Sequence, residues 1–169
     1  QRVTTPEDLK GLKIRVQKSQ TSVDMIAAMG GAATPISWGE LYAALQQGVV
    51  DGAENNPPSL YDSRQYEVSK YYTLDEHTFV PDILLMSLHI WSALNDEQQG
   101  WLQQAADDSV KFQGALWQKA SDEALAAIEL SGVEIIRPDK TPFIESVKEM
   151  KAAYNGTSIG NVLNSINEL

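Results

Sequence analysis

The most enzyme-like feature of this sequence of 169 residues is a pair of carboxylates, Asp51 and Glu54. Paired carboxylates can perform acid–base chemistry when burial separates their pKa values. Asp51 is followed by Gly52, however, and Asp-Gly is an ordinary turn signal. We therefore favour a structural role for this pair, and an acid–base hydrolase that uses Asp51 and Glu54 remains the alternative hypothesis.

The two histidines, His77 and His89, lack the local spacing of a metal site. The sequence has no cysteine, no G-x-G-x-x-G pattern and no Walker pattern, so we expect neither a metal nor a cofactor. His89 ends an apolar run, which favours a structural role. His77 follows Asp75-Glu76 in a predicted loop and is a candidate site residue.

Arg15 lies on a predicted strand over residues 12–16, where basic and apolar residues alternate. A guanidinium group presents a rigid fork of donors that matches a carboxylate. Arg15 is therefore either a carboxylate-binding residue or a solvated strand residue, and spacing alone does not decide between them.

The formal net charge is −10, which argues against nucleic acid or an anionic membrane surface as a partner. An anionic ligand would need a local positive group to overcome this background. Hydrophobic residues make up 43%, enough for an ordinary core. No apolar run of about 18 residues occurs, so we expect no transmembrane helix, and no signal peptide is visible.

The elements that position these residues are centred on residues 34–57. Ser37 and Glu40 fit a capping box at the start of a helix, and Gly48 can end that helix in the left-handed conformation. We predict a strand that begins at Val49-Val50 and is broken by Asp51-Gly52. A polar tip follows, and polar groups at the carboxyl end of a strand commonly bind ligands.

Strands and helices alternate from residue 13 to residue 52, which predicts a parallel α/β arrangement. The run from Ile83 to Leu88 is continuously apolar and is typical of a strand buried on both faces. A helix of 35 residues is predicted over Asp96–Leu130, with Asn95 and Gln98 as the capping box at its start and a break near Gly114 as the alternative. The other predicted elements are a helix over 22–29, strands over 32–36, 71–74 and 133–136, and helices over 141–154 and 162–169.

Four stretches of the sequence resemble the solute-binding receptors of TRAP transporters, the DctP-like family. They are GLKIRVQKSQ, TPISWGELYAALQQGVVDGAENNPPS, YEVSKYYTLDEHTFVPDILLMS and GVEIIRPDKTPFIESVKEM. The resemblance covers the chain from Thr5 onward. It implies the C-terminal portion of a two-lobe protein: a periplasmic binding protein type II-like α/β lobe with a long bracing helix, incomplete relative to the family fold.

The same resemblance implies a division of the chain. Residues 10–75 correspond to the α/β ligand-binding lobe, and residues 76–169 to a crossover strand, the long spanning helix and C-terminal helices. The N-terminal lobe would then precede Gln1, and the chain alone would carry an incomplete binding cleft.

The family's functional residues match particular positions of this chain. Arg15 matches the arginine that pairs with the ligand's carboxylate, and Asn55 matches an asparagine that contacts a carboxylate or hydroxyl. Trp38 stands at an aromatic position that covers the ligand, and His77 at a histidine that lines the cleft. Asn56 and Gln17 are weaker candidates.

The resemblance implies a periplasmic subunit that binds an organic acid and delivers it to TRAP membrane permease subunits. A sugar acid such as a uronate, or a C4-dicarboxylate, is the expected ligand, and no enzymatic activity is expected. The competing hypotheses are the hydrolase described above and a helical interaction module built on residues 96–130.

Overall fold

The computed structural model describes residues 1–168 of the chain. Five strands, labelled β1 to β5, are Lys13–Val16, Ala32–Pro35, Gly52–Ala53, Tyr71–Thr73 and Glu134–Ile136. Eight α-helices, α1 to α8, are Gln20–Ala28, Leu41–Gln46, Pro57–Asp62, Leu88–Ala93, Asp96–Leu130, Thr141–Ser146, Lys148–Ala152 and Ser158–Asn167. Three 3-10 helices are Pro6–Leu9, Trp38–Glu40 and Gln65–Val68.

The first sheet has the strand order β2-β1-β3, and both pairings are parallel. The register places Arg15 of β1 opposite Thr34 of β2 and Ala53 of β3. Because all three strands run the same way, their carboxyl ends lie at one edge of the sheet. This confirms the predicted parallel α/β arrangement.

The second sheet pairs β4 with β5, also in parallel. Tyr72 lies opposite Ile135, and the Leu74 amide donates to the Ile136 oxygen at 2.9 Å. These strands are far apart in sequence, and the long helix α5 lies between them. Both were predicted from sequence, and both are confirmed.

Two hydrophobic clusters form the core. The larger one packs α1 and β1 against α6, with Val16, Ile26 and Phe143 among its most buried members. The smaller one joins Leu60 of α3 to Ile128 near the end of α5, with Val133 beside them. Each cluster therefore supports one of the two sheets.

Helix α5 is continuous over its 35 residues, so the alternative of a break near Gly114 is wrong. Asn95 caps it through the predicted capping box with Gln98. At 1.5 Å per residue the helix is about 50 Å long. Ala124 and Ile128, both near its end, are its buried residues. No helix of the described chain is long and apolar enough to cross a membrane.

The predicted strand at Val49-Val50 is wrong. Both amides donate to the Ala44 oxygen, so these residues close the end of α2, and Gly48 takes the predicted left-handed conformation. Val50 fills a core position instead of pairing, and β3 begins at Gly52. Gly52 therefore begins a strand where Asp51-Gly52 was expected to break one.

The predicted strand from Ile83 to Leu88 is also wrong. Residues 83–87 form no regular element, and Leu88 begins α4. Five apolar side chains in and before this segment have exposed fractions between 73% and 91%: Phe79, Val80, Ile83, Leu84 and Leu85. The reason is that, within residues 1–168, no strand lies beside this segment to accept its backbone hydrogen bonds.

Three helix predictions needed correction. Ser37 does not cap the turn through a backbone amide, because its hydroxyl donates to the Glu40 carboxylate. The predicted helix over 141–154 divides at Val147 into α6 and α7. The predicted helix over 162–169 begins earlier, at Ser158, and its last residue, Leu169, lies outside the described residues.

Candidate functional site

Arg15 is the most buried charged residue of the described chain, at 2% exposure. Because β1 lies between β2 and β3, the aliphatic part of the Arg15 side chain is shielded from solvent. Its Nε donates to the Ile36 oxygen at 2.9 Å, just after β2. Burial lowers the pKa of Arg15, and the nearby negative charge of Glu54 opposes that shift. An arginine remains charged under these conditions.

The terminal Nη groups of Arg15 meet no hydrogen-bond acceptor among residues 1–168. The Arg15 side chain is almost fully buried, and these groups keep only slight contact with solvent, because the one fully buried side-chain nitrogen or oxygen atom without a partner in the described chain is His77 Nε2. A fixed, charged fork with free donors is suited to a planar anion such as a carboxylate. This geometry favours the carboxylate-binding interpretation over a solvated strand residue.

Trp38 lies beside the Arg15 guanidinium. The Arg15 Cζ is 5.9 Å from the centre of the indole ring, within the range of a cation–π contact. Trp38 opens the 3-10 helix that follows β2, and 48% of its surface is exposed. An aromatic face next to a fixed cation can cover an apolar or sugar-ring face of a ligand.

Asn55 lies two residues beyond Ala53, the β3 partner of Arg15. Its Nδ2 donates to Gln65 Oε1 at 3.3 Å, and its Oδ1 accepts the Asn56 amide at 3.0 Å. The Tyr72 hydroxyl donates to its backbone oxygen at 2.8 Å. The side chain is thus half-buried and held in place at the carboxyl edge of the first sheet.

The weaker candidates have different settings. Asn56 caps α3, because its Oδ1 accepts the Ser59 amide at 2.9 Å, so this oxygen already has a structural partner. Gln17 is exposed and follows directly after β1, at the same sheet edge as Asn55. Both stay predictions as ligand-binding residues.

His77, Asp75 and Glu54 are neighbouring titratable residues, and Glu54 also interacts with the charge of Arg15. His77 Nδ1 is 2.7 Å from Asp75 Oδ1. Burial alone would lower the pKa of His77, but the Asp75 hydrogen bond and charge, together with the Glu54 charge, raise it. Burial raises the pKa of Glu54, against the opposing charges of His77 and Arg15.

Asp51 and Glu54 do not form a working pair. Asp51 precedes β3 and accepts the backbone amide of Lys13 through Oδ2 at 2.8 Å, which fixes the start of β1. Glu54 follows β3, where the charges of Arg15 and His77 act on its carboxyl group. The strand therefore separates them, and only Glu54 belongs to the candidate site.

The sequence did not single out Asp75, Gln65 or Tyr72, which hold the candidate residues in place. Asp75 could have been noticed as an acidic residue two positions before His77. The pairing of Gln65 and Tyr72 with Asn55 depends on tertiary contacts. In the described part of the chain, no group of three or more side chains is placed to hold a metal ion. The arrangement can bind an anion through Arg15 and hydroxyl groups through its polar neighbours.

The model of the family described as bacterial extracellular solute-binding protein, family 7, matches residues 1–157. The chain belongs to this family. The predicted resemblance to DctP-like receptors of TRAP transporters is thereby confirmed. A curated relative, described as a solute-binding protein of Chromohalobacter salexigens, is 42% identical over 137 residues. The match covers 81% of this chain and 41% of that protein.

Solved structures of TRAP periplasmic solute-binding proteins share the fold. One from Pseudomonas putida F1, with bound D-glucuronate, is 37% identical with a TM-score of 0.89 and covers 100% of this chain and 55% of that chain. One from Sulfitobacter sp. NAS-14.1, with bound β-D-galacturonate, is 39% identical with a TM-score of 0.84, over 91% and 51%. These similarities confirm the predicted type II-like lobe with a long helix. The chain spans about half the length of each of these two proteins, so the lobe is incomplete relative to them.

Proposed function

We propose that this chain is part of a periplasmic solute-binding subunit that captures a carboxylate-containing organic acid and delivers it to the membrane permease of a TRAP transporter. The observation that carries the proposal is Arg15: a buried, charged and fixed guanidinium whose terminal donors have no acceptor within residues 1–168. A ligand carboxylate would supply the missing acceptor through two parallel charge-assisted hydrogen bonds.

The favoured ligand class is a sugar acid, and a C4-dicarboxylate is the second choice within the same proposal. A uronate has one carboxylate for Arg15 and several hydroxyl groups for Asn55 and Glu54. Trp38 offers a half-exposed aromatic face for the sugar ring. The uronates bound by the similar proteins of Pseudomonas and Sulfitobacter support this choice. His77, Asn56 and Gln17 complete the proposed ligand-binding set.

A preceding N-terminal lobe is the proposed partner within the same protein. Under this division, residues 10–75 form the ligand-binding lobe and residues 76–169 link it to the other lobe. The exposed apolar side chains of residues 79–85 and of α5 would then be covered by that lobe, since patches of this kind mark interaction surfaces. The α5 side chains concerned are Trp101, Val110, Phe112, Leu116 and Trp117.

A binding protein without catalysis is the proposed activity class. Glycoside hydrolysis by this pair would need the two carboxylates on either side of the scissile bond. Asp51 is instead hydrogen-bonded to the Lys13 amide at the opposite end of β3 from Glu54. The similar proteins are solute-binding proteins, which supports the same conclusion.

A thermal-shift panel on the complete two-lobe protein tests the proposal. Because ligands that bind only the folded state raise its stability by mass action, a bound uronate raises Tm in a concentration-dependent way. We expect D-glucuronate or D-galacturonate to raise Tm most, succinate less, and neutral D-glucose not at all. Chromogenic glycosides incubated with the same protein should release no product. Turnover of a glycoside without a response to any acid would overturn the proposal.

A further inference from the structure

Gln65 is a buried polar residue that contacts the candidate site without belonging to it. It is 2% exposed, although glutamine is mostly a surface residue in proteins. Its Oε1 accepts the Asn55 Nδ2 donor at 3.3 Å. Core packing alone would favour an apolar side chain here, so we look for the role of Gln65 in its contact with Asn55.

The backbone around Gln65 holds this side chain in place. Arg64, the preceding residue, takes the left-handed conformation with φ of 57°, which is uncommon for residues other than glycine. It leads into the 3-10 helix Gln65–Val68. That helix is tied to α2 by the Tyr42 hydroxyl, which donates to the Glu67 carboxylate at 3.0 Å. Gln65 is thereby directed inward from a short, anchored element.

Tyr72 fixes the other side of Asn55. Its hydroxyl, on β4 of the second sheet, donates to the Asn55 backbone oxygen at 2.8 Å. Burial raises the pKa of Tyr72, and the Asp75 charge raises it further, so the hydroxyl keeps its proton and remains a donor. The two sheets therefore meet at Asn55, which follows a strand of the first sheet and is anchored by a strand of the second.

These contacts define the orientation of the Asn55 amide. Its oxygen faces the Asn56 amide and its nitrogen faces Gln65 Oε1, so a flipped amide would place like groups against each other. One N–H of Nδ2 and one lone pair of Oδ1 remain free, because an amide has two donors and two acceptor sites. The free N–H is a donor of fixed direction at the edge of the sheet that carries Arg15.

We propose that Gln65 and Tyr72 are positioning residues for Asn55: Gln65 fixes its side-chain amide and Tyr72 its backbone, so that the free amide N–H meets the ligand's carboxylate or hydroxyl oxygen. This rests on the proposed function, in which Asn55 binds the organic acid. Preorganisation of this kind improves affinity because the side chain is already ordered before the ligand arrives. Neither residue touches the ligand, and both act through Asn55.

A double-mutant cycle on the complete protein tests this inference, with D-glucuronate and succinate as titrants in calorimetry. Gln65→Met keeps the side-chain length and removes the acceptor. We expect it to weaken binding about tenfold in the wild-type background, which corresponds to one hydrogen bond. In the Asn55→Ala background the same change should weaken binding less than about twofold, because the Asn55 side chain through which Gln65 acts is absent.

Two further variants keep the test decisive. Tyr72→Phe should show the same coupling to Asn55 and provides the cycle if Gln65→Met does not fold. Gln46→Met, an exposed glutamine on α2, is the matched control and should leave affinity unchanged. If the wild type binds neither acid, the proposed function is wrong and this inference is wrong with it. If the wild type binds and the losses are equal in both backgrounds, or absent, only the positioning inference is overturned.

Discussion

The Nε of Arg15 donates a hydrogen bond to the backbone oxygen of Ile36 at 2.9 Å, so the side chain is anchored by the loop that leads to Trp38. One donor of the guanidinium is thereby occupied in fixing its position, while the terminal donors stay free for a ligand. A ligand carboxylate can then form two hydrogen bonds with Arg15 while the protein loses little further conformational freedom. Such preorganisation favours tight and selective binding.

Trp38 should contribute to affinity through its aromatic face. Replacing it with alanine removes both the contact to Arg15 and the proposed cover over the ligand, and we expect affinity for D-glucuronate to fall about tenfold or more. Trp38→Phe keeps an aromatic face and should lose only about two- to fivefold. Calorimetric titration measures both, and an equal loss in the two variants would argue against a role for the ring face.

His77 should make stability depend on pH. Its folded pKa is raised above the ordinary value of 6.5, so its protonated form stabilises the fold. That contribution is complete below about pH 6.5 and is lost as the pH rises through the folded pKa. We therefore expect Tm to decline on going from pH 6 to pH 8, and His77→Gln to remove that part of the decline.

The control for the histidine experiment is His89→Gln, which changes an exposed histidine on α4. It should leave the pH profile of Tm as in the wild type. Asp75→Asn should also flatten the profile, because the Asp75 hydrogen bond and charge support the raised pKa of His77. A profile that keeps its slope in His77→Gln would show that another group is responsible.

Asp51 and Glu54 should differ in what their substitution changes. Asp51→Ala removes the acceptor of the Lys13 amide, so we expect a loss of about 1 kcal/mol in the free energy of unfolding with ligand affinity unchanged. Glu54→Gln should alter ligand affinity, because its carboxyl group lies in the field of Arg15 and His77. Chemical denaturation and calorimetry separate the two effects, and a change of affinity in Asp51→Ala would contradict this division.

Two glycines provide a matched pair for stability. A Cβ on Gly114 would meet nothing within 4 Å, so Gly114→Ala should stabilise α5 by about 0.5–1 kcal/mol and raise Tm. A Cβ on Gly160 would overlap the Tyr154 backbone oxygen, so Gly160→Ala should lower Tm. Thermal unfolding of both variants checks this, and the reverse order would show that the helix contexts are misassigned.

Local patterns were enough to predict much of the fold. The apolar alternation around Arg15 gave β1, and the paired cap residues Asn95 and Gln98 gave the start of α5. The run at Ile83 to Leu88 was misinterpreted, because an apolar stretch signals burial only where a partner surface exists. Val49 and Val50 were misinterpreted because core packing against α2 overrides their strand preference.

The candidate site was predicted only in part. The resemblance gave all six proposed ligand-binding residues, and Arg15 and His77 were also candidates from their own sequence context. The structure brings Arg15 and Trp38 into contact. The partners that hold these residues, Gln65 and Tyr72 among them, were not predicted. Their contacts with Asn55 join residues 10 and 17 positions apart, and no local pattern encodes such pairings.

Titration of D-glucuronate into the complete protein and its Arg15→Ala variant tests the central claim most directly. The account predicts binding to the wild type, no measurable binding to the variant, and no binding of neutral D-glucose to either. Arg2→Ala, which removes an exposed arginine paired with Glu134 at 2.7 Å, is the control and should bind like the wild type. An affinity for D-glucuronate that is unchanged in Arg15→Ala would contradict the account.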